Sequence, residues 1–129
     1  YVRELGLVDV IFTGQIKFDE ILAYYHLADV FLCMSEHEGF CVPIVESMYF
    51  DVPVVARDTS AIAWTMGGSG LLLPDNDPII AAEMVNRVLA DEALKEKILK
   101  NQRIRLQDFD NQKVKTQFLQ IIDKIIQGK

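Results

Sequence analysis

Four short apolar runs, separated by stretches of helical length, constrain this chain more than any other feature. They are Val8 to Thr13, Asp29 to Met34, Val52 to Ala56 and Gly70 to Leu73. Each is rich in Val, Leu, Ile or Phe, and none alternates cleanly with polar residues. That is the pattern of strands covered on both faces. The runs start about 18 to 23 residues apart, enough for one crossover helix each. They predict a parallel sheet between two helix layers, an α/β, Rossmann-like three-layer αβα domain. Right-handed crossovers follow from backbone chirality.

The intervening stretches carry helix signals. Phe18 to Ala28 places Ile21, Leu22, Tyr25 and Ala28 on one stripe, with Lys17 or Asp19 at its start. Pro43 to Phe50 has a proline where an opening helical turn tolerates it. Thr59 to Met66 predicts a short helix. Asp77 is the expected N-cap of a helix opening at Pro78 and running to about Ala90, with Ile80, Met84, Val88 and Leu89 inward. Two more helices follow, Glu92 to about Gln107 and roughly Asn111 to Ile126. The last carries Val114, Phe118, Ile121, Ile122 and Ile125 at helical spacing. The expected organisation is one domain piece over residues 1–129, closing with helices at about 92–126.

Half of the 129 residues are hydrophobic, so one sizeable core is available. The formal charge of −6 argues against a nucleic-acid footprint. It leaves room for one small anion site, because backbone amides at a helix start need no cation. No apolar run approaches the roughly 20 residues that cross a bilayer. Cys33 and Cys41 form no disulfide framework, and a reduced, cytoplasmic protein is expected. The chain starts without Met, and Tyr1 to Leu7 reads like a helix end with Gly6 just past it. A piece of a longer protein is therefore expected.

The chemistry concentrates after the second run, in Ser35-Glu36-His37-Glu38-Gly39-Phe40-Cys41-Val42-Pro43-Ile44-Val45-Glu46. In open α/β sheets ligands bind beyond the carboxyl ends of strands, which is where this stretch belongs. Gly39 permits close approach of backbone to a ligand. The amides of Phe40, Cys41 and Val42 precede a helix and can donate to an anion. Glu46, about one turn into the helix, can accept from two neighbouring hydroxyls, as on a ribose. Glu38 in the loop can take sugar hydroxyls or stabilise positive charge growing at a sugar carbon. A first-turn glutamate also serves simply to complement the helix dipole, and a loop glutamate is often just solvated.

From Asp29 to Val55 the chain resembles the nucleotide-sugar half of the group 1 (family 4) retaining glycosyltransferases. The upstream Val10-Ile11-Phe12-Thr13-Gly14 and the downstream Gly67-Gly68-Ser69-Gly70-Leu71-Leu72 extend the likeness in the same order. The resemblance implies the C-terminal, donor-binding domain of a two-domain GT-B fold, acting in polysaccharide biosynthesis. It implies that Glu38 contacts the transferred sugar, the catalytic position, and that Glu46 holds the ribose. The Phe40, Cys41 and Val42 amides would meet sugar and diphosphate, with Gly14 beside diphosphate or base. The nucleotide sugar is the substrate; no metal and no cofactor are implied. The N-terminal acceptor domain would be a partner, and the full-length protein would work in the cytoplasm, with peripheral contact at the inner face of the membrane.

Three departures stand beside the likeness. Cys41 takes a place where many relatives have glycine. Ala63-Trp64 stands where the family often has Pro-Glu. The family's donor domain has six strands against four runs here, so two strands with their cationic residues are expected to lie between the first and second runs in space. The isolated chain is then expected to be inactive. A non-catalytic nucleotide-binding or assembly module of the same fold is the alternative. A phospho-acceptor receiver domain lacks its acidic cluster and its late lysine here.

Among the other polar residues, His37 is either a ligand donor or a solvated loop residue. His26 suits the negative end of a helix dipole. Gly67 to Gly70 lacks the Lys-Ser/Thr of a phosphate loop and reads as a turn. Arg57 falls at a strand end, as a phosphate contact or a surface ion pair.

Overall fold

The computed structural model describes residues 1–128. Three parallel strands, β1 (Phe31–Cys33), β2 (Val54–Arg57) and β3 (Leu71–Leu73), form one sheet in the order β1-β2-β3. Phe31 pairs with Val54, and Val55 with Leu71. Six helices surround it: α1 (Phe18–Leu27), α2 (Val42–Tyr49), α3 (Ile62–Met66), α4 (Pro78–Ala90), α5 (Glu92–Leu106) and α6 (Asn111–Ile126). A 3-10 turn, Gln107–Phe109, joins the last two.

The layers follow from the period of a strand. Side chains alternate between faces, so Val54 and Ala56 of β2 point one way and Val55 the other. Val54 and Ala56 join Ile44 and Met48 of α2 and Ile62 and Met66 of α3 in one core. Val55 and Leu73 join Ala81 and Val88 of α4 and Ile98 of α5 in the other. The expected αβα layering is present, with β2 fully enclosed at its centre.

The first apolar run is a correction. Val8 to Thr13 is not a strand; it is irregular, and Val8, Ile11 and Phe12 are about four-fifths exposed. Strand structure needs a neighbour for its N–H and C=O groups. The described residues place none beside this run, so the sheet has three strands and not four. The opening residues form hydrogen-bonded turns and not a helix, with Leu5 N–H donating to the Tyr1 carbonyl and Gly6 at φ 65°.

Two helix faces also differ from expectation. In α4 the inward stripe is Ala81, Met84, Val85 and Val88, while Ile80 and Leu89 face outward. In α6 no residue is buried, so the stripe of Val114, Phe118, Ile121, Ile122 and Ile125 lies open. In α1 the half-buried residues are Ile21, Leu22 and Tyr25, and Ala28 is exposed beyond the helix end.

Caps punctuate the chain where carboxylates allow. Asp77 accepts from Ile79 N–H at 2.8 Å, and Asp91 accepts from Leu94 N–H at 3.0 Å. The Gly67 to Gly70 turn is structural. Gly67, at φ 55°, closes α3, and a Cβ on Gly70 would come within 2.6 Å of the Val54 carbonyl. One buried polar side chain completes the core. Gln102 of α5 donates from Nε2 to the Val52 carbonyl and accepts at Oε1 from Val54 N–H, both at 2.9 Å. It stands in for strand partners on either side of Pro53.

Candidate functional site

The loop from Met34 to Cys41 leaves the carboxyl end of β1 and enters α2. Gly39, Phe40, Val42 and Pro43 are exposed, so the bend opens to solvent and is not sealed in the core. Cys41 is the N-cap of α2, at φ 64° in the left-handed region. A side chain there is disfavoured by roughly 1–2 kcal/mol relative to ordinary backbone. This accounts for the glycine that the family resemblance leads one to expect at this position. No backbone or side-chain acceptor among the described residues takes the amides of Phe40, Cys41 or Val42. The start of α2 therefore presents free donors at the positive end of its dipole.

The loop is held from one side. Sequence neighbours do not do this; the segment after β2 does. Loops that follow adjacent parallel strands emerge side by side at the same sheet edge, which brings Thr59 to Thr65 against Glu36 to Phe40. Thr59 Oγ1 donates to the Glu36 carbonyl at 2.7 Å. Ser60 Oγ accepts from Glu38 N–H at 3.4 Å and meets His37 Nδ1 at 2.9 Å. Ala61 N–H donates to the Glu38 carbonyl at 3.4 Å. Thr65 Oγ1 donates to the Phe40 carbonyl at 2.6 Å. Ser60 shares the left-handed backbone of Cys41, at φ 45°, so two of the three non-glycine positions with positive φ flank this loop.

A second layer fixes α3 itself. Arg105 of α5 donates from Nε to the Thr65 carbonyl at 3.1 Å and from Nη2 to the Trp64 carbonyl at 2.6 Å. Its guanidinium lies 5.1 Å from the Trp64 ring centroid and 4.8 Å from that of Phe109, and Nη1 pairs with Asp108 at 2.9 Å. Phe40 packs edge-on against Phe109 at 5.6 Å and beside Trp64 at 6.2 Å. Trp64 thus joins an aromatic cluster beside the loop.

The two glutamates have different surroundings. Glu46, half-buried in α2, accepts a hydrogen bond at Oε2 from the Tyr25 hydroxyl at 2.8 Å. It lines a groove of about 1210 Å³ whose other walls include Phe40, Val42, Tyr49, Trp64 and Phe109. Glu38 is half-buried in the loop, and a carboxylate oxygen of it lies with Cys33 Sγ and Cys41 Sγ, all within 4.8 Å of one another. The thiols are 3.9 Å apart and unbonded. A carboxylate and two thiols are a donor set for a soft cation. Here burial first, then Cys33 and the Glu38 charge, push the Cys41 thiol up to about 12, which opposes the deprotonation a metal needs. Burial, then the bond to Glu46 and its charge, also hold the Tyr25 phenol above its ordinary value.

Of the residues singled out in the sequence, Glu38, Gly39, Phe40, Cys41, Val42 and Glu46 share one loop and helix start. Gly14, at φ 61°, sits in the exposed segment ahead of α1; next to it, Thr13 lines a recess with Tyr25. Arg57 lies at the end of β2, with Nη1 3.8 Å from Glu36 Oε1 and no hydrogen-bond partner among the described residues. Tyr25, Thr59, Ser60, Thr65 and Arg105 join the site only through the fold. The run Asp58-Thr59-Ser60 after a strand end was the available signal, since adjacent strand ends share an edge.

Comparisons with known proteins bear on the family of the chain. The family model described as "Glycosyl transferases group 1" matches residues 1–105. An α-1,4-N-acetyl-D-galactosaminyltransferase of Campylobacter jejuni, acting on a GalNAc-containing diphosphoundecaprenol, is 28% identical over 127 residues, 96% of this chain and 34% of that protein. O-antigen chain mannosyltransferase B of Escherichia coli is 32% identical over 97 residues, 74% of this chain and 23% of that protein. Among solved structures, sucrose-phosphate synthase from Thermosynechococcus elongatus superposes with a TM-score of 0.79 at 30% identity, covering 99% of this chain and 33% of that one. The C-terminal domain of a group 1 glycosyl transferase from Francisella tularensis gives 0.70 at 27% identity, covering 82% of this chain and 56% of that one. This chain spans about a third or less of the length of the curated relatives named.

Proposed function

Because the chain belongs to the group 1 glycosyltransferases, we propose that it is the donor-binding part of a retaining enzyme of family 4 with the two-domain GT-B plan. Residues 1–129 form one nucleotide-sugar-binding unit in this reading. The enzyme transfers a sugar from a nucleoside diphosphate to an acceptor hydroxyl: the bond from the anomeric carbon to the diphosphate breaks, and a bond to the acceptor oxygen forms on the same face. The diphosphate leaves with the electron pair, and the acceptor proton follows it.

The observation that carries this reading is the open bend at Phe40 to Val42, with unused amides at a helix start and a glutamate on either side. The amides stabilise the departing diphosphate, whose charge grows in the transition state. Glu46 takes the ribose hydroxyls, and Glu38 faces the sugar ring as it becomes cationic. The nucleotide sugar is substrate, and this chemistry needs no metal or cofactor. The acceptor comes from the other domain of the full-length protein. The undecaprenol-linked substrate in the name of one relative favours a lipid-linked acceptor, reached from the cytoplasmic face of a membrane. No helix among the described residues is long and apolar enough to cross one.

Calorimetry of the full-length protein with nucleoside diphosphates tests the assignment. Glu46→Ala should weaken binding by about 1.5–3 kcal/mol, the range for a lost hydrogen bond to a charged group. Unchanged affinity would remove Glu46 from the site.

A further inference from the structure

We propose that Tyr25 is the positioning residue for Glu46: its hydroxyl holds one carboxylate oxygen so that the other meets the ribose hydroxyls in a single orientation. The inference rests on the reading that Glu46 holds the ribose.

Tyr25 belongs to α1 and Glu46 to α2, and the bond between them, Oη to Oε2 at 2.8 Å, is the only one to the Glu46 carboxylate among the described residues. A carboxylate can only accept, so the phenol is the donor. Oε1 has no hydrogen-bond partner among the described residues, and Glu46 lines the large groove. A free glutamate side chain samples several rotamers, and ordering one on ligand binding weakens affinity by about two- to tenfold. A bond already made in the unliganded protein removes most of that cost.

The tyrosine is itself clamped. Its ring stacks on Phe50, with centroids 5.3 Å apart and planes 2° from parallel. Phe50 is held edge-on by His26 at 4.9 Å and by Tyr49 at 5.1 Å, and its N–H donates to the Glu46 carbonyl at 3.1 Å. The ring that orients Tyr25 is thus tied to the backbone of the residue Tyr25 orients. Burial and the adjacent carboxylate keep the phenol protonated, so the donor persists throughout the neutral range.

The test uses the full-length protein and calorimetry with three probes: a nucleoside diphosphate, its 2′-deoxy counterpart and inorganic pyrophosphate. The wild type should prefer the ribose form. Tyr25→Phe, which keeps the ring, should lower that preference by about two- to tenfold, the scale of ordering one free side chain on binding, with pyrophosphate affinity unmoved. Phe50→Leu should move the preference the same way by a smaller factor, and serves if Tyr25→Phe does not fold. An undiminished ribose preference in folded Tyr25→Phe overturns the inference, as does an equal loss of pyrophosphate binding, which marks a merely structural contact. Glu46→Gln separates the two layers. If it abolishes the preference and Tyr25→Phe does not touch it, only the role of Tyr25 fails. If it leaves the preference intact, the ribose assignment of Glu46 fails, and the inference with it.

Discussion

The Thr65 hydroxyl donates to the carbonyl of Phe40 at 2.6 Å, across 25 positions of sequence, and so fastens α3 to the loop between the two glutamates. Thr65 is fully buried, so the donor end of the bond is shielded from water. Replacing it by Val keeps the shape and leaves the Phe40 carbonyl without its partner. Thr65→Val is expected to cost about 1–2 kcal/mol of stability and to weaken nucleoside diphosphate binding. Chemical denaturation and calorimetry on the same preparation check both.

Glu38 and Glu46 should separate in kinetics. If Glu38 faces the sugar as proposed, Glu38→Gln removes a charge that stabilises a growing cation, so the transfer rate should fall by about 10²-fold while nucleotide affinity stays within about twofold. Glu46→Gln should instead act chiefly on affinity. Initial rates and calorimetry on both variants of the full-length protein decide; equal losses on both axes for Glu38→Gln would contradict its assignment.

Gln102 carries a stability prediction independent of function. Gln102→Leu puts an apolar side chain of similar size in its place and strands two buried backbone groups, Val54 N–H and Val52 C=O. The expected loss is roughly 2–6 kcal/mol, from two unsatisfied groups at about 1–3 kcal/mol each. A shift in the urea midpoint without a change of slope is the expected form.

The Cys33–Cys41 pair predicts an alkaline weakness. Cys41 is raised from 9.0 to about 12 in the folded chain, so folding disfavours its thiolate. The stabilising contribution is complete below pH 9, where both states hold the proton. It declines as pH rises from 9 towards 12, because the unfolded chain releases its proton first. Tyr25, raised from its ordinary 10.0, acts in the same direction. Denaturation midpoints should be lower at pH 10 than at pH 7. In native protein at pH 7 both thiols should resist alkylation, and denaturant should release them.

Much of this was legible in the chain itself, and the limits have physical causes. Asp77 before Pro78 marks a helix start through local hydrogen bonding, and the structure has that cap. The strands at Val54–Arg57 and Leu71–Leu73 fall within a residue or two of their apolar runs, because enclosure on both faces removes the usual alternation. Val8 to Thr13 has the same composition and no strand, since pairing is a property of neighbours and not of the run. The glutamates sit on the loop and helix expected of them. Tyr25 was legible only as one residue of an inward stripe; its hydroxyl bond depends on how α1 crosses α2, which no local pattern encodes. The same holds for Gln102, a polar residue in the least apolar helix, whose role appears only once Pro53 leaves its flanking backbone groups to be matched.

The sheet ends abruptly at β1. Phe31 to Cys33 pair with β2 on one side and with no described strand on the other. An unpaired edge of this kind offers its few N–H and C=O groups to an extended peptide, including one from another molecule of the same chain. A purified 129-residue preparation should therefore self-associate as its concentration rises. Light scattering would register that well before any loss of helical signal.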